Sequence, residues 1–461
     1  MKMITRRGLF LLILIIAFLG GLGFLTYSFV TDGHDWVMQP YNSHVYYNGE
    51  LTGAGKITDC NGRSLAQTVD GKREYNDSEI TRKSTLHAVG DTKGFISTGV
   101  QNVYEAKLTG YNTLTGVYSV ASGKSNDMEL TIDADVCDVA YKALSDYKAG
   151  CVGVVNYKTG DIVCMVSTPG FDVQNKPKDI DTNPKYEGAY VNRLLTGLYT
   201  PGSTFKIVVS ICAIENIPDI NSRTFMCEGE YDPGSGKPIE CNAYHGKLTF
   251  KDALAKSCNS AFAQIAIELG PEKLAQTAKQ LGLTSPITVS GDINSSTGRF
   301  FLEKGDADDY VGWTGIGQGD TLLSPIAMLR LAGAIANDGK AVSYNLVDSL
   351  ANKAGKALDL GFAKHETQLL SSETAAAMTA MLRYNVEEQY GDYNYEGLNL
   401  CAKSGTAQID AQDSHNTAWF TGFMDDEKNP YAFVVLVEYG NSGSHTAGPI
   451  ANKVLQALVN K

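Results

Sequence analysis

The chain has 461 residues, 43% hydrophobic and 20% charged, which is enough for more than one domain and too apolar for a disordered protein. A formal net charge of −12 argues against nucleic acid as a partner, because phosphate binding draws on clustered Lys and Arg.

Lys2, Arg6 and Arg7 open the chain, and Gly8 through Thr31 then carry no charge. Roughly 20 apolar residues at ~1.5 Å rise cross a ~30 Å hydrocarbon core, so residues 8–30 are expected to form one transmembrane anchor. A cleaved leader would have a shorter apolar run, of roughly 7–15 residues, and a small-residue cleavage site. Thr26-Tyr27-Ser28 is a poor version of one. The basic residues precede the span, which places residues 1–7 in the cytoplasm and the remainder outside. Residues 31–127 are rich in Gly, Asn, Thr and Tyr, with alternating stretches such as Tyr104-Glu105-Ala106-Lys107-Leu108. They read as a small, strand-rich region.

The pattern changes near Met128. Val136 to Leu144 has helical spacing, and Cys151–Val155 and Ile162–Val166 read as strands joined by the turn Asn156 to Asp161. Helices are expected from about Ser203 to Glu215 and over Phe250–Leu269. A third has Pro271 at its start and Gly282 just past its end, and others cover Ser324–Asn337 and Ser371–Asn385. Strands at Ala418–Met424 and Tyr431–Tyr439 and a helix from Pro449 to about Val459 close the chain. Strands at both ends with helices between them imply an α+β domain whose single sheet is built from its two ends around a helical insert.

The chemistry starts at Ser203-Thr204-Phe205-Lys206, preceded by Pro201-Gly202. A serine hydroxyl is a weak nucleophile until a base takes its proton. A lysine three positions on lies on the same helix face, and burial lowers its pKa enough for the neutral amine to be that base. Ser-x-x-Lys alone is a cheap pattern, since Ser145 to Lys148 repeats it. Ser-x-Asn occurs at Ser257-Cys258-Asn259, but also at Ser343 to Asn345 and Ser414 to Asn416. Lys-Ser/Thr-Gly occurs at Lys403-Ser404-Gly405 and at Lys158-Thr159-Gly160. Order and context single out one set: Ser203 opening a helix, Ser257 at a polar break in a helical segment, and Lys403 closing the apolar run Leu398 to Ala402 as the end of a strand would.

With that set the chain resembles a class B penicillin-binding protein, a monofunctional peptidoglycan D,D-transpeptidase. The likeness extends to Asn192-Arg193 and Tyr199 through Lys206, to Ile316-Gly317-Gln318-Gly319 with Ser324-Pro325, and to Lys403 through Gln408 with Ala418-Trp419-Phe420. It covers about residues 128–461. Ile57-Thr58-Asp59 with Asn61-Gly62 resembles the family's membrane-proximal entry, although Cys60 stands where an Arg is usual.

The resemblance implies a penicillin-binding transpeptidase fold: a central antiparallel sheet flanked by helices, with a helical subdomain, at 128–461. A strand-rich pedestal at 31–127 and one transmembrane helix would precede it. It implies attack by Ser203 on the penultimate D-alanine of a stem peptide, with Lys206 as base. Ser257 would relay a proton to the leaving amine and Asn259 would hold the substrate amide. Lys403, Ser404, Gly405 and Thr406 would bind the terminal carboxylate. It further implies covalent binding of β-lactams, a membrane glycosyltransferase as partner and no cofactor. A D,D-carboxypeptidase, a β-lactamase-like hydrolase and a non-turnover penicillin sensor or scaffold share the same serine and stay open at this point.

Nine cysteines are an odd number, so at least one is unpaired within the chain. Cys227 and Cys241 bracket a turn-rich stretch and are the best disulfide candidates, whereas Cys137, Cys151, Cys164, Cys212 and Cys401 lie in apolar runs and read as small core residues. Cys258 reads as a packing residue. There is no Cys-x-x-Cys pair or His-Glu-x-x-His, and the seven histidines are scattered, so no metal site is expected.

Overall fold

The computed structural model describes residues 2–39, 41–47, 50–51, 53–113, 116, 125–408 and 416–461. Five strands form the central sheet: β1 (Ala149–Asn156), β2 (Ile162–Thr168), β3 (Leu400–Gln408), β4 (Asn416–Met424) and β5 (Tyr431–Glu438). Their order is β3-β4-β5-β1-β2, antiparallel throughout, so the two ends of the domain do share one sheet. β5 is a near-continuous run of Val, Leu, Phe and Ala, and β1 joins Val and Ala with small Gly and Cys; β1 is buried from Ala149 to Val155 because the sheet is covered on both faces.

The covering layers follow from side-chain parity along β1. A Cβ on Gly150 would meet Leu144, at the end of helix α2 (Ala134–Leu144), whereas one on Gly153 would meet Leu329. Residues an odd number apart point to opposite faces, so α2 and the helix carrying Leu329 cover opposite sides. Helix α9 (Gly448–Val459) packs beside α2. The other face receives α7 (Pro325–Ala336), the helix expected over Ser324–Asn337, with those two residues flanking its ends. Between β2 and β3 lies the helical insert: α3 (Lys206–Asn216), α4 (Phe250–Ala255), α5 (Asn259–Leu269), α6 (Pro271–Gln280), α7 and α8 (Ser372–Asn385). The segment read as Phe250–Leu269 is thus two helices separated by a turn, at the polar break the sequence shows.

Towards the N-terminus a second five-stranded sheet takes the order Val347–Asn352, Asn126–Leu130, Ile57–Thr58, Ser64–Val69, Lys72–Tyr75. It crosses the boundary expected at 127/128, since its second strand, Asn126–Leu130, spans that point and the edge strand beside it, Val347–Asn352, comes from the later domain. Asp59 fastens the two parts: its buried carboxylate accepts the N–H of Asn61 (3.0 Å), of Arg63 (2.8 Å) and of Ala134 (3.2 Å), the last at the start of α2.

One local expectation is corrected. Glu105–Leu108 is a helical turn rather than a strand; Tyr104 and Leu108, one turn apart, are both buried, so the alternation there was helical spacing read over too short a window. The first helix, α1, runs Lys2–Val37 and contains all of residues 8–30, continuing past them through Gly33 to Val37. α1 is long and apolar enough over Thr5–Val37 to cross a membrane.

Candidate active site

The nucleophile loop is fixed before Ser203 is reached. Trp419 on β4 is buried and donates from Nε1 to the Thr200 carbonyl at 3.0 Å. Tyr199 donates its hydroxyl to Glu438 Oε1 (2.8 Å), the same oxygen that Arg193 Nε holds at 2.7 Å. Gly202 follows with φ +53°, and a Cβ there would lie 2.6 Å from the Thr406 carbonyl oxygen. Only glycine permits that approach, and it seats the Ser203 turn directly on strand β3. The opposing Gly317, in the Gly-Gln-Gly segment, accepts the Gly202 N–H at 2.9 Å.

Gly202–Phe205 is a single 3-10 turn and α3 begins at Lys206. The lysine still reaches back: its Nζ is 3.1 Å from Ser203 Oγ, 2.7 Å from the Ser257 carbonyl oxygen, 3.2 Å from Ser257 Oγ and 2.6 Å from Asn259 Oδ1. The two shortest contacts are to carbonyl oxygens, which can only accept. A neutral amine has two N–H groups for them, which leaves its lone pair for the Ser203 hydroxyl to donate into. Burial supports that protonation state. Lys206 is fully buried, and desolvation pushes its pKa down to about 7, partly offset by Cys258 and Cys241.

Ser257 owes its position to the end of α4. Its N–H donates to the Leu254 carbonyl and that of Cys258 to Ala253, with Ser257 itself at φ +53°. This is the Schellman arrangement, whose left-handed residue is usually glycine. A serine there accepts backbone strain and in exchange turns its hydroxyl into the cleft. Ser257 Oγ is 3.1 Å from Lys403 Nζ as well as 3.2 Å from Lys206 Nζ, so one hydroxyl joins the two lysines.

Lys403 sits in the middle of β3, not at a strand end, because pairing with β4 continues to Gln408. It is fully buried and donates to the Ser404 carbonyl at 2.8 Å. Desolvation first, and then the charge of Lys206, hold its pKa well below the usual lysine value. Ser404 Oγ accepts from Tyr390 at 3.0 Å, and Thr406 Oγ1 accepts the Gly443 N–H at 3.3 Å. Gly405 keeps the strand close to the nucleophile, since a Cβ there would meet Thr204 at 2.8 Å. β3 is an edge strand of the sheet, and its outer side is where an extended peptide can add.

The structure therefore brings Ser203, Lys206, Ser257, Asn259 and Lys403–Thr406 into one cleft. The decoys lie elsewhere. Lys148 pairs with Glu187 at 3.1 Å, and Lys158 bonds Asn337 at 2.9 Å in a hairpin turn. Ser414 and His415 fall outside the described residues. Sequence reasoning missed Tyr390, which nothing in its local sequence marks.

It also missed a cluster behind Asn259. No disulfide joins Cys227 to Cys241; all nine cysteines are free thiols. The two face a common neighbour instead, with His245 Nδ1 at 3.5 Å from each sulfur and Cys258 Sγ at 3.8 Å from Cys241 Sγ. These four side chains could hold a metal ion, their ligand atoms all lying within 4.8 Å of one another, so the expectation of no metal-ligating set is corrected. The available signal was Cys241-x-x-x-His245 rather than Cys-x-x-Cys.

Residues 150–456 match the family described as the penicillin binding protein transpeptidase domain. The peptidoglycan D,D-transpeptidase PbpA of Mycolicibacterium smegmatis is 26% identical over 473 aligned residues, covering 94% of each chain. The stage V sporulation protein D of Bacillus subtilis is 26% identical over 440 residues, covering 87% of this chain and 65% of that one. Among solved structures, penicillin-binding protein A of M. tuberculosis as its penicillin G acyl-enzyme superposes with a TM-score of 0.77 at 24% identity, over 88% of this chain and 99% of that one. The D,D-transpeptidase domain of a peptidoglycan glycosyltransferase from Eggerthella lenta gives 0.75 at 25% identity, over 88% and 98%.

Proposed function

The chain belongs to the penicillin-binding protein transpeptidase family, and from that premise we propose that it is a serine-type peptidoglycan D,D-transpeptidase that cross-links stem peptides through an acyl-enzyme on Ser203. The observation that carries this reading is the contact of Lys206 Nζ with Ser203 Oγ at 3.1 Å, made by a lysine whose pKa burial pushes down to about 7.

In the proposed sequence a stem peptide lies along the outer side of β3 with its terminal carboxylate at Lys403, Ser404 and Thr406, where a cation and two hydroxyls suit a planar anion. The carboxylate's charge offsets the desolvation that keeps the Lys403 pKa low. Asn259 holds the substrate amide. Ser203 Oγ attacks the carbonyl of the penultimate D-alanine while its proton passes to Lys206. The backbone N–H groups of Ser203 and Thr406 hold the oxyanion, and losing one such donor costs ~3 kcal/mol of barrier. The Lys206 proton then moves through Ser257 Oγ to the leaving amine, and terminal D-alanine departs. An acceptor amine from a second stem peptide attacks the ester, returns its proton along the same hydroxyls and frees Ser203. β-Lactams would follow the first half of this path, with the ring nitrogen as the leaving amine.

The N-terminal helix fits a single-pass anchor with Lys2, Arg6 and Arg7 on the cytoplasmic side and the catalytic domain outside. A membrane glycosyltransferase that supplies glycan to be cross-linked is the partner this arrangement calls for. Mass spectrometry of the chain after penicillin treatment tests the central claim. The adduct is expected on the peptide that contains Ser203, and an adduct on any other residue overturns the assignment.

A further inference from the structure

We propose that Cys227, Cys241, His245 and Cys258 bind a Zn²⁺ ion in a closed tetrahedral site that braces the Ser257–Asn259 turn of the catalytic cleft. The four residues converge from two nested hairpins and a helix. Thr224–Cys227 pairs with Gly246–Thr249, placing Cys227 opposite Gly246, and inside it Glu230–Tyr231 pairs with Ile239–Glu240. Cys227 leaves the outer hairpin, Cys241 leaves the inner one, His245 precedes the returning outer strand, and Cys258 caps α5. This convergence of chain ends on one point is how small structural zinc sites are built, and three sulfurs with one imidazole is a common structural donor set.

The spacing fits an ion better than it fits bonded thiols. The edge of a tetrahedron is ~1.6 times its centre-to-corner distance, so Zn–S of ~2.3 Å and Zn–N of ~2.0 Å put sulfurs ~3.8 Å apart and sulfur ~3.5 Å from nitrogen. The observed values are 3.8 Å for Cys241 to Cys258, and 3.5 Å from His245 Nδ1 to Cys227 and to Cys241. A disulfide would need ~2.0 Å. The surroundings also suit thiolates. Backbone N–H groups of Asn259 and Ala261 donate to Cys241 Sγ (3.3 Å) and Cys258 Sγ (3.4 Å), at the N-terminus of α5. As thiols, Cys227 has alternative acceptors in the Ala243 carbonyl at 3.5 Å and Ser260 Oγ at 3.6 Å, and the experiment distinguishes that state. Cys227 and Cys258 are buried while Cys241 and His245 are half-buried, which leaves a route for the ion. Zinc entry replaces three S–H bonds with Zn–S bonds and releases the protons to solvent.

The site touches the catalytic machinery through the chain itself. Cys258 is the middle residue of Ser257-Cys258-Asn259. The Asn259 N–H that meets Cys241 Sγ belongs to the residue whose Oδ1 receives Lys206 Nζ at 2.6 Å. Zinc would thus fix a turn whose Ser257 stands at φ +53°.

Full-length protein purified in detergent without chelators or added metal is expected to contain one equivalent of zinc by elemental analysis. Exchange of Zn²⁺ for Co²⁺ is expected to give the intense sulfur-to-cobalt absorption and the d–d bands of tetrahedral thiolate coordination. His245→Ala and Cys227→Ser should lose the metal and acylate with fluorescent penicillin about tenfold or more slowly, although neither residue borders Ser203. Metal-free protein that takes up neither Zn²⁺ nor Co²⁺, or an intact mass two hydrogens short with a Cys241–Cys258 disulfide, overturns the proposal. So does Co²⁺ uptake without the sulfur-to-cobalt band. The bracing role rests on the transpeptidase reading and the metal site does not. Zinc-loaded protein that resists penicillin would count against the enzyme, and zinc-free protein that labels normally would count against the site.

Discussion

Lys206 Nζ and Asn259 Oδ1 lie 2.6 Å apart, the shortest of the contacts that hold the amine beside Ser203. With the Asn259 and Ser257 carbonyl oxygens holding its two N–H groups, a neutral Lys206 presents its free pair to Ser203. Lys206→Ala is therefore expected to fold and to bind penicillin but to acylate at least about a hundredfold more slowly, the scale of losing a general base. Ser203→Ala should abolish covalent labelling altogether. Stopped-flow acylation by a fluorescent penicillin checks both, and near-normal acylation in Lys206→Ala would require another base.

The pH profile follows from the same amine. Burial lowers the Lys206 pKa to about 7, so the neutral, basic form grows as pH rises through about 7 and its protonated form dominates below. Acylation is expected to climb roughly tenfold per pH unit below about 6 and to level off above about 8. Stability carries the same sign. The unfolded lysine keeps its proton up to about 10.4, so between the two values the unfolded state binds more protons and Lys206 contributes more stability as pH rises. An acylation rate that stays flat from about pH 5 to 9 would exclude Lys206 as the titrating base.

Much of this was legible from residue order. Ser203, Ser257 and Lys403 stand out because one begins a helix, one interrupts a helix and one lies in an apolar strand, and each local pattern is dictated by nearby residues. What the sequence hid was set by distant ones. Lys403 reads as a strand end because Ser404 to Thr406 are polar and small, yet those residues pair along β4 while their other side faces the cleft. The left-handed turn at Ser257 has no signature, since glycine is the residue that marks such turns. The Cys227, Cys241, His245 and Cys258 cluster is spread over two hairpins and a helix cap, so only Cys241-x-x-x-His245 is close in sequence, and that pair alone does not bring in Cys227 and Cys258.

Glu438 supports the nucleophile loop from the end of β5. Its Oε1 receives both Arg193 Nε at 2.7 Å and the Tyr199 hydroxyl at 2.8 Å, and the Arg193 side chain is only 7% exposed. Glu438→Gln keeps the shape but leaves a nearly buried guanidinium without its counter-charge. Glu438 itself is 21% exposed, so the expected cost is about 2 kcal/mol, below the range for fully buried pairs. Calorimetry should show Tm lowered by about 3 °C. Arg223→Ala, which breaks an exposed pair with Asp219 and Glu268, should leave Tm unmoved. Equal shifts in the two variants would remove any special weight from the Arg193–Glu438 pair.

Ser257 offers a way to separate backbone conformation from chemistry. At φ +53° a residue with a Cβ carries strain of about 1 kcal/mol that glycine avoids, whereas only serine places a hydroxyl between Lys206 and Lys403. Ser257→Ala and Ser257→Gly both lose the relay, so both are expected to turn over substrate more slowly, by a similar factor of about a hundred. They should differ in stability: Ser257→Gly relieves the turn and is expected to unfold at higher denaturant than Ser257→Ala, by about 1 kcal/mol. Urea unfolding paired with acylation rates reads both quantities. If glycine restored the rate as well as the stability, Ser257 would matter for the path of the chain alone, and the hydroxyl bridge between the two lysines would have no part in moving the proton.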